Sequence, residues 1–340
     1  MTENPINADV IIVGAGMSGL MAANVLTASG VQVLVLDKGR SVGGRMATRR
    51  IGPGIADHGA QFFTVRDPEF QRYVDQWLAE DLVFEWSRGF SDGSLQTQPA
   101  DGHPRYAVRG GMNALGKRLA RDLQRQIDVN VRIVTATCDQ QGWILQDEFG
   151  GLYTSKVLLM TPPVPQSLVI LDEGATQLPP EAHDSLTAIE YAPCLTGMFW
   201  VEGLVRLPPP GAVQRRTGNI LWIGDNQIKG ISPDACVITV QAGEQYSIQM
   251  WSAPDERILS AMRTSLSLYM DAGGTIRESQ LKRWRYSRPM SVHSERCLVA
   301  QNDPLLVFAG DAFGGPRVEG AVLSGLAAGQ AILERVQQAR

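Results

Sequence analysis

Nowhere in the 340 residues do eighteen apolar residues follow one another, and only four cysteines and four histidines occur. A membrane-spanning helix needs about 20 mainly apolar residues, so the first absence argues against one. The cysteines (Cys138, Cys194, Cys236 and Cys297) stand far apart, with no C-x-x-C and no nearby histidine pair. They read as buried free thiols in a reducing compartment, against a disulfide frame or a zinc site. No charge sign dominates either: 31 Lys and Arg against 35 Asp and Glu leave a formal charge of −4. A nucleic-acid partner would favour a basic patch or stripe. A Walker loop and internal repeats are also missing, which removes the usual P-loop signature. The first apolar run, "VIIVGAGMSGLMAANVL", has no basic residue before it, and Gly14, Gly16 and Gly19 interrupt it. A signal peptide needs the former and a spanning helix suffers from the latter. These absences predict a soluble, cytoplasmic chain with no membrane, metal or nucleic-acid partner.

What is present organises well. The length suggests two domains or one large interrupted one. "ADVIIVG" is a β-branched run suited to a strand buried on both faces, "SGLMAANVLTASG" is helical, and "VQVLVLD" is a second buried strand ending at Asp37. Together they form a βαβ unit. "DPEFQRYVDQWLAEDL" sets Phe70, Tyr73, Val74, Trp77 and Leu78 at helical spacing after Pro68, and "GGMNALGKRLARDL" repeats the pattern. "VNVRIV", "WILQD", "KVLLMTPP", "LKRWRYSRP" and "LLVFAGD" read as strands, the last of them carrying Asp311. "DERILSAMRTSLSLYMDAGG" reads as a helix, and "VEGAVLSGLAAGQAILERVQQ" closes the chain as another. On that closing helix Val318, Val322, Gly325, Gly329, Ile332 and Val336 share one face.

Gly14-Ala15-Gly16-Met17-Ser18-Gly19 matches G-x-G-x-x-G between strand and helix, with Asp37 closing the next strand. Its first glycine permits the tight turn, the second lets backbone approach a pyrophosphate, and the third packs helix on strand. The helix N-terminus then faces the anion, and Asp37 accepts from a ribose diol. The fingerprint alone leaves NAD and FAD both open. Gly43-Gly44-Arg45 follows, offering close backbone approach beside a bidentate cation for phosphate oxygens. Near the other end, "GDAFGGPRVEGAVLSG" is a second glycine-rich loop leading into a helix. The N-terminus of that helix carries about +0.5 of an elementary charge, suited to the pyrimidine end of a reduced flavin. The two loops then serve the two ends of one elongated cofactor.

These motifs resemble the flavoprotein family of monoamine oxidases, phytoene desaturases and GDP-dissociation inhibitors. "DHGAQFFTVRD", "GGMNAL", "TPPVPQ", "RWRYSRP" and "GDAFGGPRVEGAVLSG" are similar, in that order, to segments of bacterial renalase-like members. The resemblance implies an α/β fold: a Rossmann-type FAD domain, as in monoamine oxidase and p-hydroxybenzoate hydroxylase, with an inserted mixed α+β substrate domain. The expected ranges are 1–66, 100–165 and 280–340 for FAD, and 67–99 and 166–279 for substrate. It also implies non-covalent FAD, since the carboxyl-terminal motif lacks the cysteine that carries covalent flavins. By motif the FAD lining is Gly14, Gly16, Met17, Ser18, Gly19, Asp37, Lys38, Gly44, Arg45, Met46, Ala60, Gln61 and Phe62. Asp311, Arg317, Val318 and Ala321 join it, with Val129 at the adenine and Val131 nearly as good there.

The implied activity is oxidation of dihydronicotinamide dinucleotides, NAD(P)H or its 2- or 6-dihydro isomers, with oxygen as acceptor. Gln61, Trp284, Tyr286 and Arg288 are the candidate substrate contacts, and no catalytic base is assigned. "LKRWRYSRP" has two readings. Lys282, Trp284, Tyr286 and Arg288 share one face, and they serve either a dinucleotide or a solvated basic edge strand. His58 and His293 are equally open between site and structural roles. An amine oxidase is the competing enzyme, and a GDP-dissociation-inhibitor-like binding protein is the competitor without redox chemistry.

Overall fold

The computed structural model describes residues 5–94, 102–123 and 126–338. In chain order the elements begin with β1 (Ile6–Val13), α1 (Met17–Ala28), β2 (Val33–Asp37), β3 (Thr48–Ile51) and β4 (Gly54–Asp57). Next come α2 (Pro68–Ala79), β5 (Val83–Ser87), β6 (Arg105–Val108), α3 (Asn113–Arg121), β7 (Ile127–Val129) and β8 (Ile133–Asp139). β9 (Gly142–Asp147), β10 (Leu152–Met160), α4 (Val164–Glu173), α5 (Pro180–Thr187), β11 (Tyr191–Glu202) and β12 (Ala212–Gln214) follow. Then run β13 (Ile220–Asp225), β14 (Cys236–Ala242), α6 (Glu244–Gln249), α7 (Asp255–Ser267) and β15 (Thr275–Pro289). The last four are β16 (Leu298–Asn302), β17 (Leu305–Phe308), α8 (Asp311–Gly314) and α9 (Val318–Gln338).

The run Val10-Ile11-Ile12-Val13 is buried throughout, as the absence of polar alternation predicts. β1 accordingly lies inside a sheet ordered β16-β17-β10-β1-β2-β7, with β8 and β9 attached through β10. β17, β10, β1, β2 and β7 are mutually parallel. Phe308, Met160, Val13, Asp37 and Val129 therefore end their strands along one edge. In open α/β sheets that carboxyl edge is where ligands bind.

α1 and α9 pack on one another because glycines let their backbones meet. Val322, Gly325, Gly329 and Ile332 are buried on the expected face of α9, while Val318 and Val336 are half-buried. A Cβ on Gly325 would fall inside the contact radius of the Ser18 carbonyl oxygen. Backbone cannot yield as a flexible side chain does, so Gly325→Ala is expected to cost about 1–3 kcal/mol. Thermal unfolding checks it; an unchanged midpoint would mean the helices can separate without loss.

Two local readings are corrected. "VNVRIV" is not one strand: β7 stops at Val129, Asn130 adopts φ 59°, and β8 starts at Ile133. Asparagine tolerates that left-handed turn, and Val131 N–H then donates to the Asp37 carbonyl. Asp311 does not end the β17 strand. Gly310, at φ 149°, turns the chain after Phe308, and Asp311 opens α8.

The chain forms two compact units: Met1–Gly44, Leu115–Glu190 and Arg288–Arg340 in the first, Arg45–Ala114 and Tyr191–Ser287 in the second. The first holds the parallel sheet; the second interrupts it with mixed α and β structure. Within the second, β12-β13-β14-β11-β15 form a five-stranded sheet. Phe199, Ile223, Ile238 and Val240 of this sheet share a core with Ile258, Met262 and Leu266 of α7.

These units depart from the sequence ranges at four places, each for a packing reason. Residues 45–66 join the second unit, since Ile51 and Ala56 of the β3–β4 hairpin share a core with Met198, Ala235 and Val237. Residues 100–114 go with it through the pairing of β6 with β5, and 280–287 because β15 is one unbroken strand of the five-stranded sheet. Residues 166–190 belong to the first unit, where α4 packs on β8.

Candidate functional site

In the first unit the strand ends and the glycine turn build a cradle. Gly14 adopts φ 104°, a conformation open to glycine, and its N–H donates to the Leu36 carbonyl at 2.8 Å. Thr161, just past β10, donates through Oγ1 to the Val13 carbonyl at 2.8 Å. That tie between two strand ends escaped the sequence reading, because a single threonine before two prolines carries no pattern. A Cβ built on Gly16 meets nothing within 4 Å, so backbone there lies open, and Gly43 N–H donates to the Ala15 carbonyl at 2.8 Å. A Cβ on Gly44 would reach Gly16 Cα at 3.1 Å, which keeps the second glycine pair against the first. Gly19 and Met17 are buried where α1 begins.

Ser18 Oγ is buried and has no hydrogen-bond partner among the described residues. An orphaned hydroxyl in the first turn of a helix fits a phosphate acceptor. Asp37 accepts from Ala15 N–H and Gly39 N–H, both at 2.6 Å, which fixes its carboxylate at the sheet edge. Lone pairs remain on both oxygens for a ribose diol. Val129 sits opposite Asp37 in the β2–β7 register, and Lys38 donates to Gln166 Oε1 at 2.6 Å. These residues fit the adenosine and pyrophosphate portion of a dinucleotide.

The carboxyl-terminal loop reaches the same edge. Ala309 N–H donates to the Met160 carbonyl at 3.0 Å, and Gly310 N–H to Ser324 Oγ of α9 at 2.8 Å. Asp311 is buried, Val318 and Ala321 are half-buried, and Arg317 is exposed. His293 has a structural role: its ring packs 5.6 Å from Phe313, and Nδ1 accepts from Glu295 N–H at 3.0 Å. Arg288 is exposed, with Met290 Sδ at 3.4 Å.

The second unit gathers Arg45, Met46, Ala60, Gln61, Phe62, Trp284 and Tyr286. Ala60 N–H donates to the Arg45 carbonyl at 3.0 Å, and Arg45 Nη1 donates to the Tyr286 and Ser287 carbonyls at 3.4 and 3.2 Å. Met46 is buried. Gln61 Nε2 donates inward to the Asp57 carbonyl at 2.7 Å, so its amide nitrogen is committed to the loop itself. Phe62 lies 5.2 Å from Phe90 and 5.7 Å from Trp222 in an aromatic cluster with Trp86.

Beneath this loop lies a buried network the sequence did not announce. Lys229 Nζ donates to Asp57 Oδ2 and to the Gln61 carbonyl, both at 2.6 Å. Asp57 Oδ1 accepts from Thr48 Oγ1 at 2.5 Å and Met112 N–H at 2.8 Å. Asn226 Oδ1 accepts from Asp57 N–H at 3.1 Å, and Thr239 Oγ1 donates to the Asp57 carbonyl at 2.8 Å. A lone lysine in a polar loop such as "DNQIKG" ordinarily reads as solvated, so no pattern pointed to Lys229.

Trp284 is engaged from within the protein. Its Nε1 donates to the His58 carbonyl at 2.8 Å, the His58 ring stacks 5.4 Å away, and Lys282 Nζ lies 4.8 Å from the indole centroid. Tyr286 meets Tyr191 edge-on at 5.7 Å. On the other face Arg283 binds Asp255 at 2.5 Å, and Arg285 lies over Trp251. β15 is indeed an edge strand.

Burial, then the charges of Arg49 and Lys282, hold the His58 imidazole down to about 3. It therefore stays neutral in the fold while the unfolded chain's imidazole protonates below about 6.5. The unfolded state then binds more protons, and stability falls as pH drops from 6.5 towards 3. His58→Phe keeps a stacking ring without the titration. Wild type is expected to lose up to about 1.4 kcal/mol per pH unit more than this variant across that window. Denaturant melts at pH 7, 6, 5 and 4 measure the difference; parallel slopes refute it.

Among the described residues no group of His, Cys, Asp or Glu could hold a metal ion, and no helix is long and apolar enough to cross a membrane. Residues 12–77 match the NAD(P)-binding Rossmann-like domain, and residues 85–333 match the flavin containing amine oxidoreductases. Putrescine oxidase of Kocuria rosea is 29% identical over 126 residues, 37% of this chain and 25% of that protein. An L-amino-acid oxidase of Echis ocellatus is 43% identical over 79 residues, 23% of this chain and 14% of that one. The matched stretches thus span a quarter or less of these relatives. The solved structure of wild-type putrescine oxidase bound to putrescine aligns with a TM-score of 0.68 at 16% identity, covering 97% of this chain and all of that one. At that identity the likeness establishes the fold. The chain belongs to the family of flavin-containing amine oxidoreductases, and its cofactor is FAD.

Proposed function

We propose that the protein is an FAD-dependent oxidase of dihydronicotinamide dinucleotides, renalase-like in its chemistry, with oxygen as acceptor. FAD, when bound, takes up a hydride and passes the electrons to oxygen, giving hydrogen peroxide. Gly14, Gly16, Ser18 and Gly44 hold its pyrophosphate with Arg45, and Asp37 and Val129 hold the adenosine. Met17, Gly19, Lys38, Met46, Ala60, Gln61, Phe62, Asp311, Arg317, Val318 and Ala321 complete the lining. Tyr286 and Arg288 remain substrate contacts. Gln61 and Trp284 are proposed beside them, with His58 and Lys282 engaging the Trp284 ring from within the protein.

One observation carries the choice of substrate. Amine oxidases that this chain resembles place an aromatic just before the "EGA" of the carboxyl-terminal motif, but here the segment is Arg317-Val318-Glu319-Gly320-Ala321. The exposed Arg317 repels an ammonium and attracts an anion. A dihydronicotinamide needs no protein base, because the lone pair on its ring nitrogen drives the hydride away. A second reading, amine oxidation, is favoured by the match to putrescine oxidase.

Anaerobic stopped-flow mixing of the yellow protein with NADH, NADPH, the 2- and 6-dihydro isomers and a panel of amines separates the two. Bleaching by a dihydronicotinamide supports the proposal, and bleaching by an amine alone sinks it. A colourless protein that no added FAD colours would instead favour the binding-protein alternative. We propose further that the flavin is not covalently linked. Acid precipitation should leave the yellow colour in the supernatant; colour held in the pellet contradicts this.

A further inference from the structure

Gln61 carries two polar groups that the fold around it leaves unused. The residue is only 6% exposed, in the segment between β4 and α2. Its Nε2 donates to the Asp57 carbonyl at 2.7 Å and to the Gly59 carbonyl at 3.1 Å. An amide oxygen in that place would face two carbonyls, so the side chain cannot flip and Oε1 is the atom left over. Oε1 accepts from none of the described residues, and the Gln61 backbone N–H donates to none of them. The residue is also held from behind. Its carbonyl accepts from the buried Lys229 ammonium at 2.6 Å, and that ammonium is fixed in turn by Asp57 Oδ2 at 2.6 Å.

Buried polar groups are nearly always paired. An open acceptor and an open donor on one immobile residue therefore call for a ligand that supplies both. An ammonium brings only donors and a phosphate dianion only acceptors. An amide edge brings one of each: its N–H meets Oε1 and its oxygen meets the backbone N–H. We propose that Gln61 is a specificity-determining residue that reads the carboxamide on the nicotinamide ring of the substrate. The identification of that amide rests on the dihydronicotinamide reading. The pyrimidine edge of the flavin shares the chemistry, but the N-terminal end of α9 already suits it.

The test uses the FAD-loaded protein with two probes that cannot reduce the flavin, NAD and its acetylpyridine analogue. The analogue carries a methyl where the carboxamide has its amino group, so only the donor to Oε1 is removed. Each is titrated by its perturbation of the flavin absorption. The wild type should bind NAD about tenfold tighter than the analogue, as expected for one buried hydrogen bond and the acceptor otherwise left open. Gln61→Met should weaken NAD to the level of the analogue and leave the analogue little changed. That variant should fold, because Thr239 Oγ1 and Gln241 Nε2 still donate to the Asp57 and Gly59 carbonyls, both at 2.8 Å. Circular dichroism and flavin content check it. Equal binding of the two probes by the wild type, or a preference that survives Gln61→Met, overturns the proposal. Bleaching by a dihydronicotinamide would still uphold the functional reading in either case. A preference left intact beside an FAD affinity lowered about tenfold would give the flavin edge as the partner of Oε1, also against the proposal. No binding of either dinucleotide and no bleaching by any dihydronicotinamide would sink both.

Discussion

Lys229→Met is expected to lose about 3–5 kcal/mol of stability, the usual consequence of removing one partner from a buried ion pair. The Lys229 and Asp57 side chains are 1% and 0% exposed. Without the ammonium, the Asp57 carboxylate keeps, among the described residues, only Thr48 Oγ1 and Met112 N–H. The Gln61 carbonyl also loses its donor. The cost therefore comes from uncompensated desolvation more than from the lost attraction. Asp57→Asn should be damaging for the mirror-image reason. The double variant should lose clearly less than the sum of the two, since it leaves neither charge stranded. Urea unfolding of the four proteins completes the cycle. A loss below about 1 kcal/mol for Lys229→Met would mean that water or a neighbour replaces the ammonium.

The second large effect is on cofactor retention. If Arg45 serves the FAD pyrophosphate as proposed, Arg45→Ala weakens flavin binding by about one to two orders of magnitude, or 1.5–3 kcal/mol for a charge-assisted contact. The Nη1 hydrogen bonds to the Tyr286 and Ser287 carbonyls, at 3.4 and 3.2 Å, are long, and circular dichroism checks that the variant remains folded. Arg45→Lys should recover only part of the affinity, since an ammonium lacks the bidentate fork. Reconstitution of the apoprotein with FAD, followed by quenching of flavin fluorescence, gives the three constants. Equal affinities would remove Arg45 from the site.

Much of the first unit was legible in the chain because its signals are local. The β-branched run of β1, the glycine spacing and the acid at Asp37 lie within forty residues, and each has one low-energy way to fold. The small-residue face of α9 was legible for the same reason, since glycine at helical spacing tells where two backbones meet. "VNVRIV" failed because period-two alternation does not reveal a left-handed residue in its middle. Asp311 failed because a glycine after an apolar run can end a strand or continue it.

The second unit was harder. Lys229 and Asp57 are 172 residues apart, and nothing in either segment marks a partner. Trp284 and Lys282 were correctly placed on one face of an edge strand, yet the alternation could not say that His58 already covers the indole. The sequence by itself determined a dinucleotide fingerprint and the parallel strands around it, because those depend on short-range sterics and on which groups can face a phosphate; FAD in particular came from the resemblance of its motifs. Only the tertiary structure decided which charges are neutralised. Asp57 and Lys229, far apart in the chain, are matched in the interior, since pairing depends on distances that the fold alone creates.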